Sequence, residues 1–266
     1  MAASIVPPME TLQVERADGI VTITFDRPEK KNAINGTMWD ELAAVATEVG
    51  RSSEDRCVVL TGAGGAFCSG ADLSGDGAGE DGLHQLARMR RINAVIQAFH
   101  ELPQPTIAKV TGVAAGVGLS LALGCDLVVA SEDARFSSVF AKRGLSLDGG
   151  QSWILPRLVG MHRAKELALF ADVISAADAM ALGIVNRVVP AGEVDALVGE
   201  WAARLAAGPP IALAMSKRML NRAFEQSFEQ ALDDEARCQT VNFGTRDTIE
   251  AITAFIQKRE PRFEGR

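Results

Sequence analysis

Sixteen residues, Val110 to Cys125, lie between the charges of Lys109 and Asp126, and glycines stand at 112, 116, 118 and 124. A membrane-spanning helix needs about 20 apolar residues, so this segment falls short of one. Glycine lets backbone approach backbone, so the segment reads as a helix packed tightly inside a core. A core that can surround it must be large. The chain has 266 residues, 47% hydrophobic and 23% charged, which suits a globular protein with ample buried surface and excludes a disordered or collagen-like chain.

Strand and helix patterns alternate on both sides of that segment. Leu12–Arg16 and Ile20–Phe25 concentrate β-formers around the turn Ala17-Asp18-Gly19, which predicts a hairpin. From Asn32 to Gly50 the period becomes helical, with Trp39, Leu42, Val45, Ala46 and Val49 on one face, Thr37 and Asp40 as an N-terminal box and Gly50 as the stop. A short apolar strand, Cys57–Thr61, leads into the glycine-rich stretch 62–72, followed by a loose acidic stretch from Ser74 to Asp81. Leu83–Glu101 reads as an amphipathic helix stopped by Pro103 and Pro105, and the strands Thr106–Val110 and Asp126–Ala130 bracket the glycine-rich helix. This alternation predicts an α/β fold with helices outside a buried sheet. After Pro190 only helical patterns remain, including a long segment from about Ser227 to Lys258. The chain therefore divides into an α/β core, 1–190, and a helical region, 191–266, that packs on the core or on another subunit.

Charge and cysteine usage narrow the function. The net charge is −7, and no local basic patch interrupts it, which argues against nucleic-acid binding and against an anionic membrane surface. Cys57, Cys68, Cys125 and Cys238 are far apart with no C-x-x-C pair, and the start MAASIVPPME lacks the pattern of a secretory leader. A reduced, cytoplasmic protein without zinc or another metal and without a disulfide framework is expected.

Two familiar motifs fail on inspection. Gly62-Ala-Gly-Gly-Ala-Phe67 places Phe67 where a dinucleotide fingerprint needs glycine or alanine, and Gly118-Leu-Ser120 is followed by Ala122 where a nucleophile elbow needs glycine. His84, His100 and His162 have no recognisable triad partner and read as surface or packing residues. More informative is a pair of turns, Ser69-Gly70-Ala71-Asp72 and Gly116-Val117-Gly118. Each precedes a predicted helix, so each can present an unpaired main-chain N–H. Two such amides would form an oxyanion hole; alternatively, the small residues only permit close packing.

Thr106 through Asp126, preceded by Ser69-Gly70-Ala71-Asp72-Leu73, resembles the crotonase superfamily of enoyl-CoA hydratases and isomerases. Arg27-Pro28 with Asn32-Ala33, Gly144 through Gly160, Ile174–Ala177 with Ala181–Val185, and Lys258-Arg259 near Pro261 and Phe263 extend the resemblance over nearly the whole chain. It implies a spiral of ββα repeats with a C-terminal helical region that builds a homotrimer or a dimer of trimers. The implied ligand is an acyl-CoA thioester, with coenzyme A part of the substrate and no separate cofactor. By position, the oxyanion amides would be those of Ala71 and Val117. CoA and substrate contacts would come from Lys30, Lys31, Ser69, Gly70, Asp72, Leu73, Ser120 and Phe140, with Lys258 and Phe263 contributed by a neighbouring tail.

The family's hydratases use two glutamates to hold and activate water, and those positions here read Ser120 and Phe140. Asp148, in Gly144-Leu-Ser-Leu-Asp-Gly-Gly-Gln-Ser-Trp153, resembles the single aspartate of enoyl-CoA isomerase members. One carboxylate suffices to move a proton between two carbons of a thioester enolate. An Asp before two glycines is also a common turn element. Phe140, Trp153 and the acidic stretch would shape the acyl pocket. The resemblance thus implies an isomerase with Asp148 as general acid/base; a hydratase, another crotonase-type acyl-CoA reaction and a non-catalytic acyl-CoA binder are the alternatives.

Overall fold

The computed structural model describes residues 9–74 and 84–266. The opening residues 1–8, most of the predicted acidic stretch and the predicted helix start at Leu83 lie outside the described residues.

The hairpin is present. β1 (Leu12–Ala17) and β2 (Ile20–Phe25) pair antiparallel, and Asp18 and Gly19 both take positive φ, 53° and 77°. That is the turn geometry whose twist matches two antiparallel strands. From β2 onward the chain winds in repeating units. In the first, β2 leads through Ile34 to α1 (Gly36–Arg51); in the second, β3 (Cys57–Gly62) leads through residues 68–71 to α2 (Gln85–His100). The third is β4 (Thr106–Val110), β5 (Val113–Ala115) and α3 (Val117–Gly124). The fourth is β6 (Leu127–Ser131), β7 (Arg135–Ser137) and α4 (Gln151–Phe170).

The first strands of the units lie side by side in a six-stranded sheet, completed by β9 (Arg187–Val189) in the order β1-β2-β3-β4-β6-β9; all neighbours beyond β1 and β2 are parallel. The second strands form a smaller layer. Ile34 bridges Ala71, Cys68 bridges Ala114, and β5 pairs with β7, which is edged by β8 (Ile174–Ser175), the strand that leads into α5 (Ala176–Ala181). This stack of ββα turns is the spiral that the resemblance implied.

Local chemistry moves several boundaries. α1 starts at Gly36 because Asn35, in extended conformation, accepts the Met38 amide at 2.9 Å, so the cap is Asn35 and not Thr37. Gly50 lies within that helix, which ends at Arg51. The glycine-rich segment is not one helix. A Cβ on Gly112 would fall 2.1 Å from the Gly65 carbonyl, and Gly112 and Gly116 take positive φ, so β5 forms between two turns before α3 begins. The predicted long C-terminal helix is two, α8 (Phe228–Phe243) and α9 (Arg246–Gln257), separated where Thr245 caps α9 by accepting the Thr248 amide.

One core fills the inside of the spiral, with Phe25, Leu42, Leu60, Phe67, Phe136 and Leu155 among its buried residues. All eight residues of α3 are buried. On the other face of the large sheet, Val194, Val198 and Ala202 of α6 (Val194–Ala206) pack on Cys57, Val59, Ile107 and Val129, so the helix after Pro190 is part of the layered core. α7 (Pro210–Asn221) is fastened by Lys217, whose Nζ lies 2.8 Å from Asp126 and 3.1 Å from the Gln104 carbonyl. α8 and α9 continue from it and leave Phe228, Phe243 and Phe255 exposed.

Candidate active site

The two glycine turns form one unit. The Cys68 amide donates to the Val113 carbonyl and the Ala115 amide to the Cys68 carbonyl, both at 2.9 Å, which places residues 68 and 114 side by side. Two residues on, Gly70 (φ 110°) meets Gly116 (φ 53°), and a Cβ on Gly116 would sit 3.8 Å from the Gly70 Cα. Ala71 and Val117 are the next residues in this register. The Ile34 amide bonds to the Gly70 carbonyl and the Asp72 amide to the Ile34 carbonyl, so the ladder uses the groups on either side of Ala71 and passes over its own N–H. Val117 opens α3, where the first-turn N–H groups have no carbonyl within the helix. One expectation changes here. Residues 69–72 do not run into a helix, since 72–74 are irregular and α2 begins at Gln85; the Ala71 amide is freed by strand pairing instead.

Around the first turn the chain gathers Lys30, Lys31, Ser69, Gly70, Asp72 and Leu73. The Ser69 amide donates to the Lys31 carbonyl at 3.0 Å, its hydroxyl to the Lys30 carbonyl at 3.2 Å, and Lys30 Nζ reaches Ser74 Oγ at 3.4 Å. Asp72 accepts the Ser74 hydroxyl (2.6 Å) and amide (3.0 Å) and pairs with Arg27 at 2.9 Å. Those hydrogen bonds from Ser74, then Arg27, hold its carboxyl down at about 2. Beneath the loop Asn32 is fully buried, donating to the carbonyls of Ala63 and Ala66 and accepting the Arg27 amide.

The second turn is buried. Ser120, expected to face substrate, is 0% exposed, its Oγ 3.3 Å from the Gly116 carbonyl and 3.0 Å from the Asp148 carbonyl. Gln151, also fully buried, donates from Nε2 to the Gly116 carbonyl (2.8 Å) and to Ser120 Oγ (3.0 Å), while its Oε1 accepts from Ser138 Oγ (2.7 Å). Sequence reasoning did not single out Gln151. Asp148 is half-buried, and its Oδ1 accepts the Gly149 amide at 2.6 Å. Phe140 is buried, and Trp153 is flanked by His100 and by the Arg157 guanidinium, 3.7 Å from the ring centre.

The remaining candidates lie apart. Lys258 caps the C-terminal end of α9, and Phe263 lines a small cavity with Pro209, Ile211 and Thr248. Asp247 fastens this tail by accepting the amides of Glu264 and Gly265. A larger cavity of about 710 Å³ beside the tail is walled by charges such as the paired Arg259 and Glu250, not by the candidate catalytic residues. His84 caps α2 and His100 packs on Trp153. Burial pushes the Cys68 thiol up to about 12, so this cysteine beside the turns carries no thiolate at neutral pH. No cluster of three or more metal-ligating side chains occurs among the described residues, and no helix among them is long and apolar enough to cross a membrane.

Residues 15–266 match the model of the enoyl-CoA hydratase/isomerase family. The chain is 40% identical over 256 residues to a Rhodobacter capsulatus protein named "Probable enoyl-CoA hydratase", covering 96% of this chain and 98% of that one. It is 36% identical over 261 residues to the 1,2-epoxyphenylacetyl-CoA isomerase of Escherichia coli, with 97% and 100% covered. Among solved structures, the enoyl-CoA hydratase of Bacillus anthracis superposes with a TM-score of 0.90 at 30% identity, over 97% of this chain and 100% of that one. Sequence and fold agree over nearly the full length, and this chain belongs to the enoyl-CoA hydratase/isomerase family, with its crotonase fold.

Proposed function

We propose that the protein is an enoyl-CoA isomerase that shifts a double bond in an acyl-CoA through a thioester enolate. The observation that carries this reading is the closure of the hydration machinery: Ser120 is sealed in a polar network and Phe140 is a buried aromatic, which leaves Asp148 as the acid in the loop that packs on α3. Hydration needs water held and polarised; isomerisation needs one base that removes a proton and returns it elsewhere.

In this mechanism the N–H groups of Ala71 and Val117 donate to the thioester oxygen. Asp148 takes a proton from one carbon, the C–H electron pair spreads into the enolate, and the same proton returns to the other end of the allylic system. Lys30 and Lys31 meet the charged end of CoA, and Lys258 and Phe263 of a neighbouring chain complete that side in a trimer or dimer of trimers. The name of the Escherichia coli relative supports isomerase chemistry, and that of the Rhodobacter relative supports hydration.

Asp148→Asn keeps the shape and removes the base. Conversion of 3-enoyl-CoA to 2-enoyl-CoA should fall by about a hundredfold or more with CoA affinity little changed. An undiminished rate in this variant, or a wild type that hydrates crotonyl-CoA as fast as its best isomerisation, would defeat the proposal. Binding without any turnover would establish the non-catalytic alternative.

A further inference from the structure

The peptide unit between Gly116 and Val117 has two ends, a carbonyl that points into the core and an N–H that opens α3. Whatever fixes the carbonyl also fixes the direction of the N–H. The Gly116 carbonyl accepts the Gln151 amide at 2.8 Å, shorter than its bond from the Ser120 N–H at 3.1 Å. The same Gln151 nitrogen donates to Ser120 Oγ, which leaves the hydroxyl proton for the Asp148 carbonyl at 3.0 Å. The Gly116 carbonyl can only accept, so it requires the nitrogen of the amide on its side, and Ser138 holds the amide oxygen by donating to Oε1.

Ser138, Gln151 and Ser120 are each no more than 2% exposed. In such surroundings hydrogen bonds polarise one another, and a missing partner is costly. A glutamine so placed could have served packing alone, but one amide hydrogen goes directly to the main chain of the oxyanion turn, and the other goes to Ser120 Oγ, whose own proton passes on to the main chain of the loop bearing the base.

We propose that Gln151 is a positioning residue that sets the Val117 N–H and the Asp148 loop in one frame, so that oxyanion donor and base are aimed together. This rests on the isomerase reading for Asp148, but its effect on the Val117 amide holds for any acyl-CoA reaction at this site. Donation to the Gly116 carbonyl also draws electron density along the peptide unit, which strengthens the Val117 N–H as a donor.

The test uses the full-length protein and two variants. Gln151→Met keeps the length of the side chain without its hydrogen bonds, and Ser138→Ala removes only the bond that holds the amide oxygen. With Gln151→Met, kcat should fall by about tenfold to a hundredfold, a loss of the size seen when an oxyanion donor is removed, with KM nearly constant. Ser138→Ala should lose less. Added to Asp148→Asn, Gln151→Met should cost less than it does alone, because the part that acts through the base is already gone while the part that acts through the Val117 amide remains.

Infrared difference spectra of a bound acyl-CoA carrying a 13C-labelled thioester carbonyl give a second readout: the red shift seen in wild type should shrink in Gln151→Met. Wild-type kcat in Gln151→Met, or a retained red shift with losses that multiply fully with Asp148→Asn, would overturn the inference and leave the isomerase reading intact. A wild type that does not isomerise, together with a red shift lost in Gln151→Met, would overturn the isomerase reading and leave the positioning of the amide intact.

Discussion

The turns at 68–72 and 114–117 each offer one main-chain amide after a glycine of positive φ, yet they are held in opposite ways. The first lies at the surface: Ala71 is exposed, Leu73 is 70% exposed, and the support is an ion pair of Asp72 with Arg27 and the bonds from Ser74. The second lies in the core: Val117 is buried, every residue of α3 is buried, and Gln151 grips the carbonyl end of the peptide. An exposed, charge-supported turn can adapt to a ligand, while a buried one fixes a direction. Changes at the first turn should therefore appear in KM, and changes at the second in kcat or in folding itself.

The largest effect is expected where the two turns touch. A Cβ on Gly118 would fall 2.4 Å from the Cys68 carbonyl oxygen and 2.7 Å from the Cys68 Cβ and Sγ. Main chain on both sides cannot yield cheaply, so Gly118→Ala should destabilise the fold by about 3 kcal/mol or more, or abolish soluble expression. Gly124, at the far end of the same helix, has nothing within 4 Å of where a Cβ would stand, and Gly124→Ala should melt within a few degrees of wild type. Equal melting temperatures for the two variants would break the claim that contact between the turns organises the site.

Next in size is the attempt to restore a hydratase. Gly149 takes φ 63° with its Cβ position 2.6 Å from the Ser120 Cβ, so the Asp148 loop already occupies the space a longer side chain at 120 would need. Ser120→Glu should therefore lose isomerisation by about a hundredfold without gaining hydration, because it breaks the positions of amide and base together. Rapid conversion of crotonyl-CoA to its 3-hydroxy product by this variant would show that the second turn is more adaptable than its burial implies.

Legibility in the sequence followed the same division. The hairpin at Asp18-Gly19, the apolar face of α1 and the alternation of strand and helix are local patterns, and they appear in the fold. The two glycine turns could be picked out because glycine at those spacings has few uses. Their register was not readable: that Cys68 stands beside Ala114 is decided by pairing across 46 positions of chain. Gln151 was missed for a similar reason. Its partners come from residues 116, 120 and 138, which meet only in the folded spiral. A signal did exist. Ser120 is a hydroxyl in an otherwise apolar eight-residue helix, and a buried hydroxyl requires a partner.

The proposed assembly gives a further test of the surface turn. Phe224, Phe228, Phe243 and Ile249 are exposed in the single chain, and clusters of this kind usually mark a partner surface. Closed symmetric association would cover them reciprocally. Sedimentation should give three or six chains per particle, and deletion from Ala254 onward should weaken assembly and raise the KM for acyl-CoA by about tenfold while leaving kcat within a few-fold. A fully active monomer would show instead that the surface turn is complete within one chain.

The smallest effect is expected at Asp72, which supports the first turn from outside the chemistry. Asp72→Asn can keep hydrogen bonds with Ser74 but loses the charge that faces Arg27, so KM should rise about threefold with kcat unchanged, as for loss of uniform binding. The acid side gives an independent check. In the folded protein the bonds from Ser74, followed by Arg27, hold this carboxyl down at about 2, whereas an unfolded chain has aspartate near 3.9. A depressed carboxyl adds stability that is present above the unfolded value and is lost as pH falls through the folded one. The melting difference between wild type and Asp72→Asn should thus be flat from about pH 8 to pH 5, shrink below about pH 4 and vanish only below about pH 2. A difference that already shrinks between neutral pH and about pH 5 would place the titrating group elsewhere, and a fall in kcat instead of a rise in KM would mean that both turns aim the reaction.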